Sequence, residues 1–132
     1  MSTVLQIYEA IDRLAPFFLS MDFDNTGILV GDRQKKVERA LLALDCTKEV
    51  LRQAKELGAQ LIISHHPIIF HPIKRVNEDS LVYHLLRSDI AVISAHTNLD
   101  IAQGGVNDLL AKRIGLSDCR GLQPMDAQGT FF

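Results

Sequence analysis

Cysteine is scarce in this chain. Cys46 and Cys119 are its only thiols, and two such widely spaced residues make neither a disulfide framework nor a zinc knuckle. Long apolar runs are missing as well. None approaches the ~18 residues of a membrane-spanning helix, so no membrane association is expected. No signal-peptide pattern follows Met1-Ser2-Thr3, and the cytoplasm is the expected compartment. Charge of one sign is not in excess, since the net charge is −2. That balance leaves no electrostatic footprint for nucleic acid, and direct nucleic-acid binding is not expected. Low-complexity tracts and linker-like stretches are absent. Thr47 and Ser64 lack the glycine-flanked elbow of an acyl-transfer nucleophile. Gly104-Gly105 precedes a helix, but the phosphate-loop lysine is missing.

What is present is enough for one domain. The chain has 132 residues, and 47% of them are hydrophobic, an ordinary supply for a packed core. Val4, Ile7, Tyr8, Ile11 and Leu14 fall at helical spacing, with Ser2 or Thr3 as cap and Pro16 as stop. Gly27 to Gly31 reads as a short strand bounded by glycines. Arg33 to Arg39 reads as a solvated connection. Ala40 to Leu44 reads as a buried strand. Thr47 is placed to cap a helix carrying Val50, Leu51, Ala54 and Leu57, with Gly58 just past its end. Leu61 to Ser64 is the next strand. A helix from about Asp79 to Arg87 turns Leu81, Val82, Leu85 and Leu86 inward. Strand Ile90 to Ser94 follows, then a helix with Val106, Leu109, Leu110 and Ile114, closed by Gly115. Strands alternating with helices predict an α/β fold, a mainly parallel sheet flanked by helices with right-handed crossovers. The α/β domain is expected over residues 1–115. Residues 116–132 are expected to be an irregular tail, a continuation cut short or buried against another chain at Phe131-Phe132.

Two strands stop abruptly at histidine. Leu61-Ile62-Ile63-Ser64 runs into His65-His66-Pro67, and Ala91-Val92-Ile93-Ser94 runs into Ala95-His96-Thr97-Asn98-Leu99-Asp100. Open α/β sheets place their ligand sites just beyond the carboxyl ends of strands. Neighbouring loops of this kind gather His65, His66, His96 and Asp100, all of them metal-ligand residue types. Consecutive histidines point in different directions, which suits two ions bridged by a carboxylate such as Asp100. Such a pair of ions activates water and clamps both oxygens of a displacement. His96 is a fourth ligand or an orienting group. His71 is a weaker candidate ligand, and His84 reads as a helix histidine. Cys46 reads as a small core residue. Asp22, Asp24 and Asn25 form a polar turn whose carboxylates are ligands or, as preferred, turn groups bonded to their own backbone. The apolar loop from Ile68 to Ile73 is expected to pack over something or face a partner.

These residues resemble a known family. Ser64-His65-His66-Pro67 with Ser94-Ala95-His96-Thr97-Asn98-Leu99-Asp100 is similar to the YbgI-like dinuclear metal proteins, also called the Nif-three-like family or GTP cyclohydrolase I type 2 homologs. Asp24-Asn25-Thr26-Gly27-Ile28-Leu29-Val30-Gly31 is similar to that family's N-terminal signature, with Phe23 where tryptophan is common. The resemblance implies that His65, His66 and Asp100 are metal ligands and that His96 lies close by, where it would assist proton transfer. It implies two divalent ions, of zinc, manganese, iron, nickel or magnesium, and assembly into a homo-oligomer. The family's further ligands, a histidine and a glutamate near the end of a chain twice this long, have no counterpart here, so this chain resembles the N-terminal half. The expected function is that of a divalent-metal-binding protein, in its complete form a metal-dependent hydrolase acting on a nucleotide-like substrate. The alternative is a non-catalytic oligomeric scaffold or a regulatory interaction protein.

Overall fold

Side chains on a strand alternate between faces, and here that alternation divides the core in two. The computed structural model of this protein describes residues 1–120. Its elements begin with β1 (Ser2–Thr3), α1 (Val4–Leu14) and a 3-10 turn (Phe17–Leu19). Then come β2 (Gly27–Val30), β3 (Lys36–Val37) and β4 (Ala40–Ala43). Helix α2 (Lys48–Glu56) leads to β5 (Leu61–Ser64), and α3 (Leu81–Arg87) leads to β6 (Ala91–Ser94). Two short helices follow, α4 (Thr97–Ile101) and α5 (Val106–Arg113).

The main sheet has the order β2-β6-β5-β4. Strands β4, β5 and β6 are parallel, with Leu61 opposite both Ala40 and Ala91 and Ser64 opposite both Ala43 and Ser94. Two helical crossovers, α2 and α3, join them, as parallel neighbours require. Ile62 and Val92 face Leu51, Ala54 and Leu85 on the α2 and α3 side. Leu61, Ala91 and Ile93 face Val4 and Val37 on the α1 side, where Ile7, Tyr8 and Ile11 close over them. Leu61, Ile62 and Ile93 are fully enclosed, each stabilising the fold by about 1.5–3 kcal/mol through burial. Three layers result, with β6 and β5 at the centre.

Caps fall where the residues announce them. Thr3 and Gln6 form a capping box at the start of α1, and the Thr47 side chain accepts from the Val50 N–H at 3.2 Å to start α2. Gly58 takes φ +63° just beyond α2, the left-handed conformation that favours glycine there.

The structure departs from the sequence reading at four places. Strand β2 runs antiparallel to β6, with a bulge between Ile28 and Val30; a short apolar run carries no information about direction. Arg33 to Arg39 is more than a solvated link, because Lys36–Val37 pairs with Ser2–Thr3 and buries Val37. Strand β4 lies at the sheet edge, leaving Leu42 76% exposed. Leu86 is also exposed, since α3 is short and only Leu85 is buried within it. The described part of the expected tail, residues 116–120, contains no helix or strand. The rest of it, with Phe131-Phe132, lies outside the described residues.

Candidate metal centre

Equal register on β5 and β6 brings both strand ends to one edge of the sheet. Ser64 pairs with Ser94, so His65, His66 and His96 emerge side by side. Their ring centroids are 5.0 Å apart for His65 and His96, 5.2 Å for His65 and His66, and 5.5 Å for His66 and His96. One ring nitrogen of each lies within 4.8 Å of the others.

Nδ1 of each ring is already engaged. His65 Nδ1 lies 3.0 Å from the Ala95 carbonyl oxygen. His66 Nδ1 lies 2.7 Å from Asp45 Oδ1, and His96 Nδ1 lies 3.0 Å from Asp24 Oδ1. Carbonyls and ionised carboxylates only accept hydrogen bonds. Each Nδ1 is therefore the donor, and each Nε2 remains for another partner. Metal-ligating histidines carry this signature, since the outer partner sets the tautomer and raises ligand basicity. Three imidazoles of this kind suit zinc, iron or nickel, so the donor set fits a divalent ion.

Asp100 stands next to one histidine, with Oδ1 3.5 Å from His65 Nε2. It projects from α4, whose five residues follow His96 directly. The sequence placed Asp100 in the ligand set and His96 beside it. The geometry converges the three histidines and puts Asp100 at their margin. His71 is exposed in its loop and His84 lies on α3; neither joins the cluster.

Two residues acquire a part that their types alone did not assign. Asp24 is more than a turn residue. Its side chain is 0% exposed. Oδ2 accepts from the Thr97 N–H at 3.1 Å and the Thr97 hydroxyl at 2.5 Å, while Oδ1 also accepts from the Asn25 N–H at 2.8 Å. Burial pushes its carboxyl upward, but the bonds from His96, Thr97 and Asn25 outweigh burial and hold it below the usual aspartate value. Asp45 follows β4 by one position beyond Leu44 and reaches His66 from the neighbouring strand end. The signal for it lay in its place past a strand, the same criterion that marked the histidines.

The scaffold beneath is tied by hydroxyls. Ser64 Oγ donates to the His66 carbonyl at 2.8 Å and lies 2.9 Å from Ser94 Oγ in the buried interior. Asn98 is also fully enclosed. Its Nδ2 donates to the Ala15 carbonyl at 2.7 Å, and its Oδ1 accepts from the His96 N–H at 2.9 Å. Asn25 Nδ2 donates to the Ile69 carbonyl, which fastens the apolar loop beside the site. Cys46 packs against the core as expected, and burial pushes its thiol up to about 11.

Comparison with known proteins places these features in context. The Duf34/NIF3 (NGG1p interacting factor 3) family matches residues 2–131. A GTP cyclohydrolase 1 type 2 homolog from Halalkalibacterium halodurans is 41% identical over 133 residues, covering 98% of this chain and 35% of that protein. Its counterpart from Clostridium perfringens is 44% identical over 115 residues, covering 84% of this chain and 44% of the relative. Among solved structures, a Bacillus cereus protein related to NIF3 superposes with a TM-score of 0.88 at 40% identity, covering 95% of this chain and 35% of that one. The chain thus spans less than half the length of these relatives.

Proposed function

The chain belongs to the Duf34/NIF3 family, and on that footing we propose that it binds a divalent metal ion through His65, His66 and His96. One observation carries this reading. All three imidazoles have Nδ1 tied to an oxygen and one ring nitrogen each within 4.8 Å of the others. A core of satisfied histidines has no need to gather in this way, and none of the three is fully buried.

The chemistry proposed is metal-dependent hydrolysis of a small nucleotide-like substrate, carried by the complete protein. The names of the relatives, GTP cyclohydrolase 1 type 2 homologs, support the substrate class. When bound, a divalent ion supplies Lewis acidity and a water ionised near neutral pH. The residues of this chain contribute the rest. His65, His66 and His96 hold the ion, with Asp100 beside His65 as a further oxygen donor. Asp45 and Asp24 orient two of the rings. His96, expected from the sequence to move protons, is assigned here to the donor set. These donors serve one ion; a second, expected from the family, needs ligands beyond the described residues.

The test is metal content of the purified chain by mass spectrometry, with zinc titrated into chelated protein by calorimetry. About one ion per chain is expected, with binding weakened at least tenfold in His66→Ala and His96→Ala. Equal affinity in wild type and both variants would overturn the assignment. Hydrolysis of GTP, assayed on a metal-loaded full-length member of the family, would then test the substrate class.

A second reading, a non-catalytic homo-oligomeric scaffold, draws on exposed apolar side chains. Leu42 is open on the edge strand and Leu44 just past it, as are Leu109, Leu110 and Ile114 on and just past α5. It predicts a stable oligomer in light scattering that persists in chelator and shows no turnover. A monomer would remove it.

A further inference from the structure

We propose that Asp24 is a positioning residue that fixes His96 as its Nδ1–H tautomer and thereby keeps the Nε2 lone pair free for a cation. The proposal deepens the metal-binding reading and rests on it for its consequence, though the tautomer itself is measurable without metal.

Four hydrogen bonds converge on this carboxylate from three neighbouring residues. Their directions are set by the donors. The Thr97 hydroxyl accepts from the Met21 N–H at 3.0 Å, which leaves its own proton for Asp24. Oδ2 is therefore filled by two obligate donors from Thr97. Oδ1 is the atom that faces His96. An acceptor buried at that point obliges His96 Nδ1 to carry the proton.

Replacing Asp24 with asparagine keeps the shape and reverses this logic. The asparagine oxygen has to remain toward Thr97, where two donors await it. The amide NH2 then falls at the position of Oδ1, where it gives up the single bond from the Asn25 N–H and donates to His96 Nδ1. His96 becomes an acceptor there, and its proton moves to Nε2, where it blocks ligation. Asp45 makes the matching contact to His66 at 2.7 Å, but it is 55% exposed and, among the described residues, accepts this one side-chain bond. Water can take over its place, so Asp45→Asn should matter less.

The experiment uses the full chain, 15N-labelled and metal-free at pH 8, with long-range 1H–15N correlation to read each imidazole. The wild type is expected to show a protonated Nδ1 and a bare Nε2 at His96. Asp24→Asn is expected to show the reverse, with zinc affinity reduced about 10–100-fold in competition titration and a smaller loss in Asp45→Asn. A purely structural Asp24 would lower stability and leave the tautomer alone. A protonated Nε2 at His96 in the wild type overturns the proposal, and that spectrum requires no variant to fold. Retention of the Nδ1–H form in folded Asp24→Asn overturns it equally. The expected tautomers in a wild type that takes up no zinc would uphold the positioning role and refute the metal-binding reading.

Discussion

Asn98 offers the sharpest perturbation, because it joins α1, α4 and the peptide of His96 through one enclosed side chain. Asn98→Ala strips a donor from the Ala15 carbonyl and an acceptor from the His96 N–H, bonds of 2.7 and 2.9 Å. Ala15 is itself fully buried. An unsatisfied buried polar group costs about 1–3 kcal/mol. Two such groups, one of them near enough to the surface for water to reach, give a loss of about 2–4 kcal/mol. With a urea dependence of about 2 kcal/mol per molar, the unfolding midpoint should fall by about 1–2 M. Asn98→Asp makes the argument stricter. It is nearly isosteric and still accepts from His96, yet it sets a carboxylate oxygen against the Ala15 carbonyl. It should therefore be at least as damaging as alanine. Urea unfolding followed by circular dichroism checks both variants. An aspartate variant as stable as wild type, or an alanine variant within about 0.5 kcal/mol of it, the range of a neutral surface change, would refute the reasoning.

Other perturbations follow from the same geometry. Gly31→Ala should lower stability by more than ~1 kcal/mol in the same assay. Gly31 has φ +97°, and an added Cβ would meet the Cα and Cβ of Ala91 at 2.8 Å. Thiol alkylation at pH 8, read by mass spectrometry, should label exposed Cys119 first. Cys46, raised from 9.0 to about 11, should be slowed roughly 100-fold through its smaller thiolate fraction. Asp24 has a folded pKa below its ordinary 3.8. Its ionised form therefore stabilises the fold above that pH, and the contribution should disappear as pH falls through the folded value. Asp24→Asn should flatten this acid limb in unfolding curves collected between pH 2 and 6. An unchanged limb would assign acid sensitivity to other carboxylates.

The strand ends were legible because their chemistry changes abruptly. Ile63-Ser64-His65 and Ile93-Ser94-Ala95-His96 each pass from apolar to imidazole within three residues, and parallel pairing then aligns them. The core positions were legible for a related reason: alternate residues of β5 and β6 are both apolar, so both faces had to be covered. Other features depend on contacts that lie far apart in the chain. Asp24 meets His96 and Thr97 across more than 70 residues, and a lone aspartate in a polar turn looks the same with or without such a partner. Val37 is buried by a two-residue pairing with β1, too short for any periodicity to register. Helix α4 has five residues, barely one turn beyond nucleation, and is held by its packing and by Asp24. Leu42 is exposed in a strand whose composition reads as buried, because composition reports what a strand is made of, whereas exposure depends on what lies beside it.

The paired hydroxyls of Ser64 and Ser94 have a mechanical consequence. They sit in the interior at the last rung of the β5–β6 ladder, and Ser64 also holds the His66 peptide. The imidazoles therefore inherit their spacing from the ladder and have little slack of their own. A cage suspended on loops can breathe to accommodate a larger guest. One mounted on a sheet resists that adjustment, so ions of different radius would be sorted by the stiffness of the mount as well as by their chemical affinity for nitrogen.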